Sequence, residues 1–308
     1  MLLPPEGHEP VLLGQVLNYL APGPGQTFVD CTLGRGGHAL AIAQRLGQTG
    51  LLIGLEADPR NLRYAADRLK ASACPTRLFH ANFSQLKQVL AEVGRDQVHG
   101  ILADLGVSTN QLFDPAYGLS FDQPMPLDMR LDPDLPRTAA DLVNHLPESE
   151  LARVLYELAQ ERYSRRIARK IVESREVSPI KTTEALAELV RSAIPRWAGP
   201  VRIDPATRTF LALRMAVNRE MENLTALLRE APAALAAGGR IAVISFQSTE
   251  DRAVKQAFGS LEKTGVMSIL TKKPLTPTPE EMACNPRSRS AKMRVAVKKS
   301  CSLLVASC

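Results

Sequence analysis

The first 104 residues alternate between short apolar runs and helical patterns, and this alternation restricts the fold more than any other feature. The apolar runs of strand length lie at residues 26–31, 51–56, 77–80 and 98–103. The helical patterns between them lie at residues 38–46, 58–71 and 84–93. Strands separated by helices at such short spacing form a parallel, doubly wound sheet. We therefore predict an α/β fold for this part of the chain.

The alternation stops after the fourth predicted strand. Residues 113–136 form a Pro- and Asp-rich segment without a helix or strand pattern. Because connections of this length usually have a function, we predict that it is a functional loop. Helical patterns follow at residues 138–144, 148–174, 183–194, 207–235 and 250–263, and strand patterns return at 240–246, 266–271 and 293–297. The simplest architecture is one α/β domain, residues 1–112 and 206–308, with an inserted helical domain at 113–205.

The composition excludes several classes of protein. The chain has 308 residues, of which 45% are hydrophobic and 23% charged, so it is neither disordered nor a collagen nor a coiled coil. No apolar run approaches the roughly 20 residues that span a bilayer, and the first residues lack the features of a signal peptide. We expect a cytoplasmic protein without a membrane partner.

Cysteine spacing and net charge bear on the partners. The five cysteines are scattered and form no C-x-x-C pair, which argues against a disulfide framework and a structural zinc site. No metal is therefore expected. The formal net charge of +6 permits a polyanionic partner but does not require one.

A glycine-rich segment follows the first predicted strand, where parallel sheets bind their ligands. Gly34, Gly36 and Gly37 have the spacing G-x-G-G, which lacks the third glycine of a dinucleotide loop. Glu56 ends the second strand, 22 positions after Gly34, and is placed to bind ribose hydroxyls. A pyrophosphate would be disfavoured beside Asp30 and Glu56, so the loop better suits S-adenosylmethionine, a sulfonium without phosphate. A plain turn and a solvated strand end are the alternatives.

Two further residues are predicted at the same edge of the sheet. Asp104 follows the fourth strand, so its carboxyl group emerges beside the glycine loop. Phe83 follows the third strand, and its ring could stack on an adenine. A core phenylalanine is the alternative for Phe83.

Seven short motifs occur in order along nearly the whole chain. They are HEPVLL at 8–13, GRGGH at 34–38, DLGVS at 104–108, PLDMR at 126–130, ATRTF at 206–210, SF with EDR at 245–252, and NPRSRS at 285–290. In these motifs the chain resembles the RsmH/MraW family, bacterial S-adenosylmethionine-dependent methyltransferases that modify the exocyclic N4 amine of a cytidine in small-subunit (16S) ribosomal RNA.

The resemblance implies a Rossmann-like, S-adenosylmethionine-binding catalytic domain and an inserted helical substrate-recognition domain. It implies an RNA substrate within the assembled small ribosomal subunit. It also implies cofactor contacts at Gly36, Gly37, His38, Glu56, Phe83, Asp104 and Gln111. The nucleotide that is modified and the oligomeric state stay open.

The chain departs from the family pattern at four positions. Glu56 stands where the family suggests aspartate, and Cys31 where it suggests a smaller residue. Gln247 and Thr249 replace a histidine and a leucine. Glutamine hydrogen-bonds but does not titrate, so any catalytic role of that histidine is in doubt here.

The proposed chemistry needs a positioned amine and a hydrogen-bond acceptor. A cytosine amine is a poor nucleophile because its lone pair is delocalised into the ring, so positioning and electrostatic help lower the barrier. The candidate catalytic acceptors are Asp104, with the backbone of residues 105–108, and Asp128. The alternative for Asp128 is a structural pair with Arg130.

Two basic segments are candidate RNA contacts, one near residues 162–175 and one near 287–299. RNA phosphates would bind them in a salt-dependent manner, and solvated faces are the alternative. The predicted RNA-binding residues are Arg165, Arg166, Arg169, Lys170, Arg208, Arg287 and Arg289.

Two other functions compete with methyl transfer. A nicotinamide-dependent dehydrogenase could use the same type of sheet but is disfavoured by the glycine spacing. A non-catalytic RNA-binding ribosome assembly factor could retain an inactive cofactor pocket.

Overall fold

The computed structural model describes residues 10–195 and 204–300, and the chain divides into two compact units. The α/β unit contains residues 10–106 and 222–300, and the helical unit is Val107–Met221. The first two residues of the HEPVLL motif and the C-terminal tail from residue 301 lie outside the described residues.

Seven strands of the α/β unit form one sheet in the order β3-β2-β1-β4-β5-β7-β6. The strands are β1 (Thr27–Asp30), β2 (Leu51–Glu56), β3 (Thr76–His80), β4 (Val98–Asp104), β5 (Leu235–Ser245), β6 (Met267–Ile269) and β7 (Lys292–Lys298). Strands β1 to β5 pair in parallel, whereas β7 runs antiparallel to both β5 and β6. The predicted Rossmann-like α/β fold is confirmed. The strand order reverses between β1 and β4, which is where such sheets bind ligands.

Helices flank the sheet and build the helical unit. They are α1 (Leu13–Leu20), α2 (Gly37–Leu46), α3 (Pro59–Leu69), α4 (Leu86–Val93), α5 (Thr109–Phe113), α6 (Ala139–His145), α7 (Glu148–Ala159), α8 (Ser164–Val177), α9 (Thr183–Ala193), α10 (Ala206–Val217), α11 (Glu220–Ala234), α12 (Ser248–Lys263) and α13 (Pro279–Cys284). No helix of the described ranges is long and apolar enough to cross a membrane.

The core of the α/β unit lies between the sheet and its helices. All four residues of β1 are buried, as expected for a central parallel strand covered on both faces. Phe28 of β1, Ile42 of α2 and Leu52 of β2 belong to one buried cluster. Asp58 caps α3 by accepting a hydrogen bond from the Arg60 amide at 2.8 Å, which confirms the predicted helix start.

The helical unit has its own apolar core. Leu151 of α7, Ile167 of α8, Leu186 of α9 and Leu213 of α10 are completely buried in it. Because α10 and residues near Val107 pack on this core, the unit extends from 107 to 221. The limits predicted from the sequence, 113 and 205, were therefore wrong by several residues at each end. The assignment of a function to each unit stays a prediction.

Two helices predicted as continuous are each divided in the structure, so both predictions were wrong in length. Gln160, with φ of 52°, ends α7 before α8 begins. Arg219, also with φ of 52°, separates α10 from α11. The left-handed region is uncommon for non-glycine residues, and apolar periodicity continues unchanged across such a break.

Candidate functional site

Three acidic residues end neighbouring strands of the sheet. Asp30, Glu56 and Asp104 are the last residues of β1, β2 and β4. Since β1 pairs with both β2 and β4 in parallel, the three carboxyl groups meet at one edge. The structure thus brings together the acids that the sequence analysis placed at this edge.

The glycine loop between β1 and α2 is fixed to this edge by hydrogen bonds that its backbone amides donate. The Leu33 amide donates to Leu55 O at 2.9 Å, and the Gly34 amide donates to Glu56 Oε2 at 2.6 Å. Gly34 and Gly36 have positive φ angles of 52° and 76°, which glycine adopts at little cost. No side chain of residues 10–195 and 204–300 caps the start of α2, so the amides of its first turn are suited to an anionic group.

Glu56 anchors the glycine loop as well as lying at the proposed ribose position. Its Oε1 accepts from the Asp58 amide at 2.9 Å while Oε2 holds Gly34. Burial raises the pKa of Glu56 to about 7, and the two backbone donors oppose that rise. Each carboxylate oxygen retains a second lone pair for a ligand hydroxyl. The anchoring role was not predicted from the sequence.

Asp104 is half-buried, and its hydrogen bonds are incomplete among the described residues. Its Oδ1 is buried without a hydrogen-bond partner among the described residues, and its Oδ2 lies 3.6 Å from His38 Nδ1. The other ring nitrogen, Nε2, lies 2.9 Å from Val11 O and must therefore donate to it. Burial, followed by the charges of Asp30 and Glu250, raises the pKa of Asp104 well above its ordinary value.

Asp30 adds a third buried carboxyl group. It is 1% exposed, and burial raises its pKa to about 7 although the Thr32 amide donates to Oδ1 at 3.1 Å. Thr32 Oγ1 also accepts a hydrogen bond from the Asp104 amide at 2.6 Å. This contact was not predicted from the sequence. Among the described residues no lysine or arginine forms a salt bridge with these three carboxyl groups, and His38 is the single potential cation beside them, which favours a cationic or N–H-bearing ligand.

The remaining predicted cofactor residues lie on separate elements. Gly37 is the first residue of α2, and Phe83 is half-buried at the start of a short 3₁₀ turn after β3. Gln111 lies in the helical unit, where its Oε1 accepts from the Ser108 amide at 2.9 Å and so caps α5. The cofactor roles of these residues stay predictions.

Asp128 of the helical unit is paired with Arg130. Arg130 Nε donates to Asp128 Oδ1 at 2.7 Å, and Nη2 donates to Oδ2 at 2.9 Å. The same guanidinium donates to Pro133 O and Leu135 O, so the pair stabilises the surrounding loop. This geometry favours the structural alternative for Asp128, whose catalytic role stays a prediction.

Four basic side chains of α8 line one groove in the helical unit. The groove has a volume of about 480 Å³, and its lining is Arg165, Arg166, Arg169, Lys170, Glu173, Ser192 and Ala193. The four basic residues are exposed, while Ile167 and Ile171 of the same helix are buried. Arg175 differs from them because its Nη1 donates to Val143 O and Leu146 O at 2.8 Å, at the C-terminal end of α6.

The other basic candidates have mixed surroundings. Arg208 is exposed and donates to Gln160 O at 3.4 Å within the helical unit. In the α/β unit Arg289 is exposed, whereas Arg287 is half-buried and burial lowers its pKa. Nearby Arg294 is buried and holds Asp251 at 2.6 Å, so part of the C-terminal basic segment is structural.

The structure shows the surroundings of two of the departures, Gln247 and Cys31. Gln247 stands at the start of α12, where its amide and that of Phe246 donate to Glu250 Oε2 at 3.0 Å. Cys31 is buried, and burial raises the pKa of its thiol well above the usual value, which makes it a poor nucleophile. Across residues 10–195 and 204–300, no group of three His, Cys, Asp or Glu could hold a metal ion.

Comparison with known sequences gives one consistent family. The model of the MraW methylase family matches residues 6–299. Proteins named "Ribosomal RNA small subunit methyltransferase H" are similar over nearly the whole chain. The one from Geobacter sulfurreducens is 46% identical and the alignment covers 94% of this chain and 98% of that protein. The one from Koribacter versatilis is also 46% identical, with 95% and 94% covered.

A solved structure is more distant. The rRNA methylase from Streptococcus thermophilus is 10% identical, with a TM-score of 0.43 over 96% of this chain and 100% of that chain.

Proposed function

The chain belongs to the MraW methylase family and is a methyltransferase, and from that premise we propose that it methylates the exocyclic N4 amine of a cytidine in small-subunit ribosomal RNA. S-adenosylmethionine is the proposed methyl donor. The observation that supports the proposal most is Asp104 Oδ1, a buried acceptor without a partner among the described residues, beside Asp30 and Glu56.

The donor set of this edge fits the proposed cofactor. When bound, S-adenosylmethionine supplies an electrophilic methyl group on a positively charged sulfur. Asp30, Glu56 and Asp104 give the edge negative charge when they ionise, and Glu56 can accept ribose hydroxyls. Gly36 and Gly37 are proposed to contact the cofactor through their backbone atoms, since the Cβ positions of these glycines face Ala65 and Pro10.

His38, Phe83 and Gln111 complete the proposed cofactor residues. His38 fixes the orientation of its ring through Val11 O, so that Nδ1 faces Asp104. Phe83 offers a half-buried ring that an adenine can stack on. For Gln111, the family resemblance is the only support.

The substrate amine needs an acceptor that orients it and later takes its proton. Asp104 Oδ1 has unused acceptor capacity among the described residues, and the raised pKa makes this carboxylate a stronger base in its ionised form. We therefore rank Asp104 above Asp128, whose two oxygens are both held by Arg130. The target base must be unpaired or flipped to reach this acceptor.

The basic groove of α8 is the proposed contact with RNA phosphates. Arg165, Arg166, Arg169 and Lys170 line it with a single acidic residue, Glu173, so its charge is strongly positive. Guanidinium groups match phosphate oxygens in pairs. Three further arginines are proposed RNA contacts because solvent reaches their side chains. Arg208 and Arg289 are exposed, and Arg287 is half-buried. We propose the assembled small subunit in the cytoplasm as the substrate.

The direct test is methyl transfer to small ribosomal subunits from a strain that lacks the modification. Methyl-labelled S-adenosylmethionine is supplied, and the labelled nucleoside is mapped by mass spectrometry. We expect label on the N4 amine of a cytidine with the wild-type protein and at least about tenfold slower labelling with Asp104→Asn. Cofactor binding without any label would favour the assembly-factor alternative. Binding of a nicotinamide nucleotide instead would favour a dehydrogenase.

A further inference from the structure

Helix α3 touches the glycine loop at three positions on one face. The Arg35 guanidinium carbon lies 4.3 Å from the centroid of the Tyr64 ring. Arg68 Nη1 donates to Arg35 O at 3.3 Å. A Cβ atom added to Gly36 would lie 3.4 Å from the Cβ of Ala65. Positions 64 and 65 each lie about one turn before position 68, and all three contact the loop.

The sequence of the loop gives it little rigidity of its own, so contacts with α3 help to fix its conformation. Three of its five residues from 33 to 37 are glycines, which lose more conformational entropy on ordering than any other residue. The Arg35 side chain is exposed, and its stacking on Tyr64 lies at the surface. Cation–π and hydrogen-bond contacts to a rigid helix reduce the freedom of the loop before any ligand arrives.

We propose that Arg35, Tyr64 and Arg68 are positioning residues that hold the glycine loop in its cofactor-binding conformation. The inference rests on the proposed function, since it assumes that S-adenosylmethionine binds at this loop. These residues do not contact the reacting atoms; they raise the fraction of the free protein that is ready to bind. Their loss weakens cofactor binding by the factor by which that fraction falls.

The test compares Tyr64→Leu, which removes the aromatic face, with Tyr64→Phe, which keeps it. Arg63→Met is the matched control, because the Arg63 guanidinium bonds to Pro59 O of its own helix. Calorimetry gives the Kd of S-adenosylmethionine, and steady-state kinetics give kcat and the KM values for cofactor and RNA. Hydrogen exchange of the amides of residues 33–37 is followed in the cofactor-free protein.

We expect Tyr64→Leu to raise the cofactor Kd and KM about 2- to 5-fold, the factor that matches an exposed cation–π contact. Its kcat and its KM for RNA stay unchanged, and the loop amides exchange faster. Tyr64→Phe and Arg63→Met behave as wild type, while Arg68→Met repeats the loss. Wild-type affinity in both Tyr64→Leu and Arg68→Met would overturn the inference. A wild-type protein that does not bind the cofactor would overturn the proposed function itself.

Discussion

Replacing Asp30 by asparagine should stabilise the cofactor-free protein at neutral and alkaline pH. The change keeps the Oδ1 that accepts from the Thr32 amide and removes only the buried charge. Burial raises the pKa of Asp30 from the ordinary 3.8 to about 7, so ionisation is unfavourable in the folded state. The carboxyl group of Asp30 binds its proton more tightly in the folded protein than in the unfolded chain. Its favourable contribution therefore exists at low pH and is lost as the pH rises through 7.

The size of the effect follows from the pKa. At about 1.4 kcal/mol per pH unit, the ionised Asp30 destabilises the folded state by about 4 kcal/mol at pH 8. At pH 5, where Asp30 is mostly protonated in the folded state, the same calculation gives a destabilisation of about 1.5 kcal/mol. The advantage of Asp30→Asn should therefore grow by about 2.5 kcal/mol between pH 5 and pH 8.

Urea unfolding of the cofactor-free wild type and Asp30→Asn at pH 5, 6, 7 and 8 measures this difference. Asp67→Asn is the control, since Asp67 lies on the exposed face of α3 and should shift stability by less than about 0.5 kcal/mol at every pH. A constant difference between wild type and Asp30→Asn across the pH range would refute the reasoning. So would a variant that is less stable at pH 8.

Three further variants, two single and one triple, test other parts of the account. Gly36→Ala should destabilise the protein by about 1 to 2 kcal/mol and weaken cofactor binding, because φ is 76° there; thermal unfolding and calorimetry measure both, and an unchanged Tm would contradict it. Asp128→Asn should lower the Tm by breaking the Arg130 pair while cofactor Kd stays constant; a turnover loss without a Tm change would instead restore its catalytic role. Reversing Arg165, Arg166 and Arg169 to glutamate should weaken RNA binding and reduce its salt dependence; filter binding at low and high salt would reveal unaltered affinity if the groove were only solvated.

The sequence allowed the sheet edge to be predicted because its determinants are local. Each of Asp30, Glu56 and Asp104 ends an apolar run, and parallel strands bring their carboxyl ends together. The start of α3 was equally readable, since an Asp-Pro pair is typical of a helix N-terminus.

Features that depend on distant partners could not be read in the same way. The carbonyl groups that bind Arg175 lie 29 and 32 positions away. Asn218 donates to Met129 O and accepts from the Leu131 amide, across 89 and 87 positions. Neither contact leaves a pattern in the local sequence, because both depend on how the helical unit packs.

The helix breaks were missed for another reason. Gln160 and Arg219 adopt left-handed backbone conformations that sequence rules reserve for glycine and asparagine. Apolar spacing on both sides remains helical, so the pattern predicts one helix where the structure has two.

The most direct test of the central claim is calorimetric titration of S-adenosylmethionine into wild type and Asp104→Asn at pH 6 and pH 8. If the buried acids at the ends of β1, β2 and β4 hold this cation, ionisation favours binding. The wild-type Kd should then fall about tenfold from pH 6 to pH 8. Asp104→Asn should bind at least about tenfold more weakly at pH 8, the loss expected for a charge-assisted contact. Equal affinity of the two proteins, with no dependence on pH, would contradict the claim.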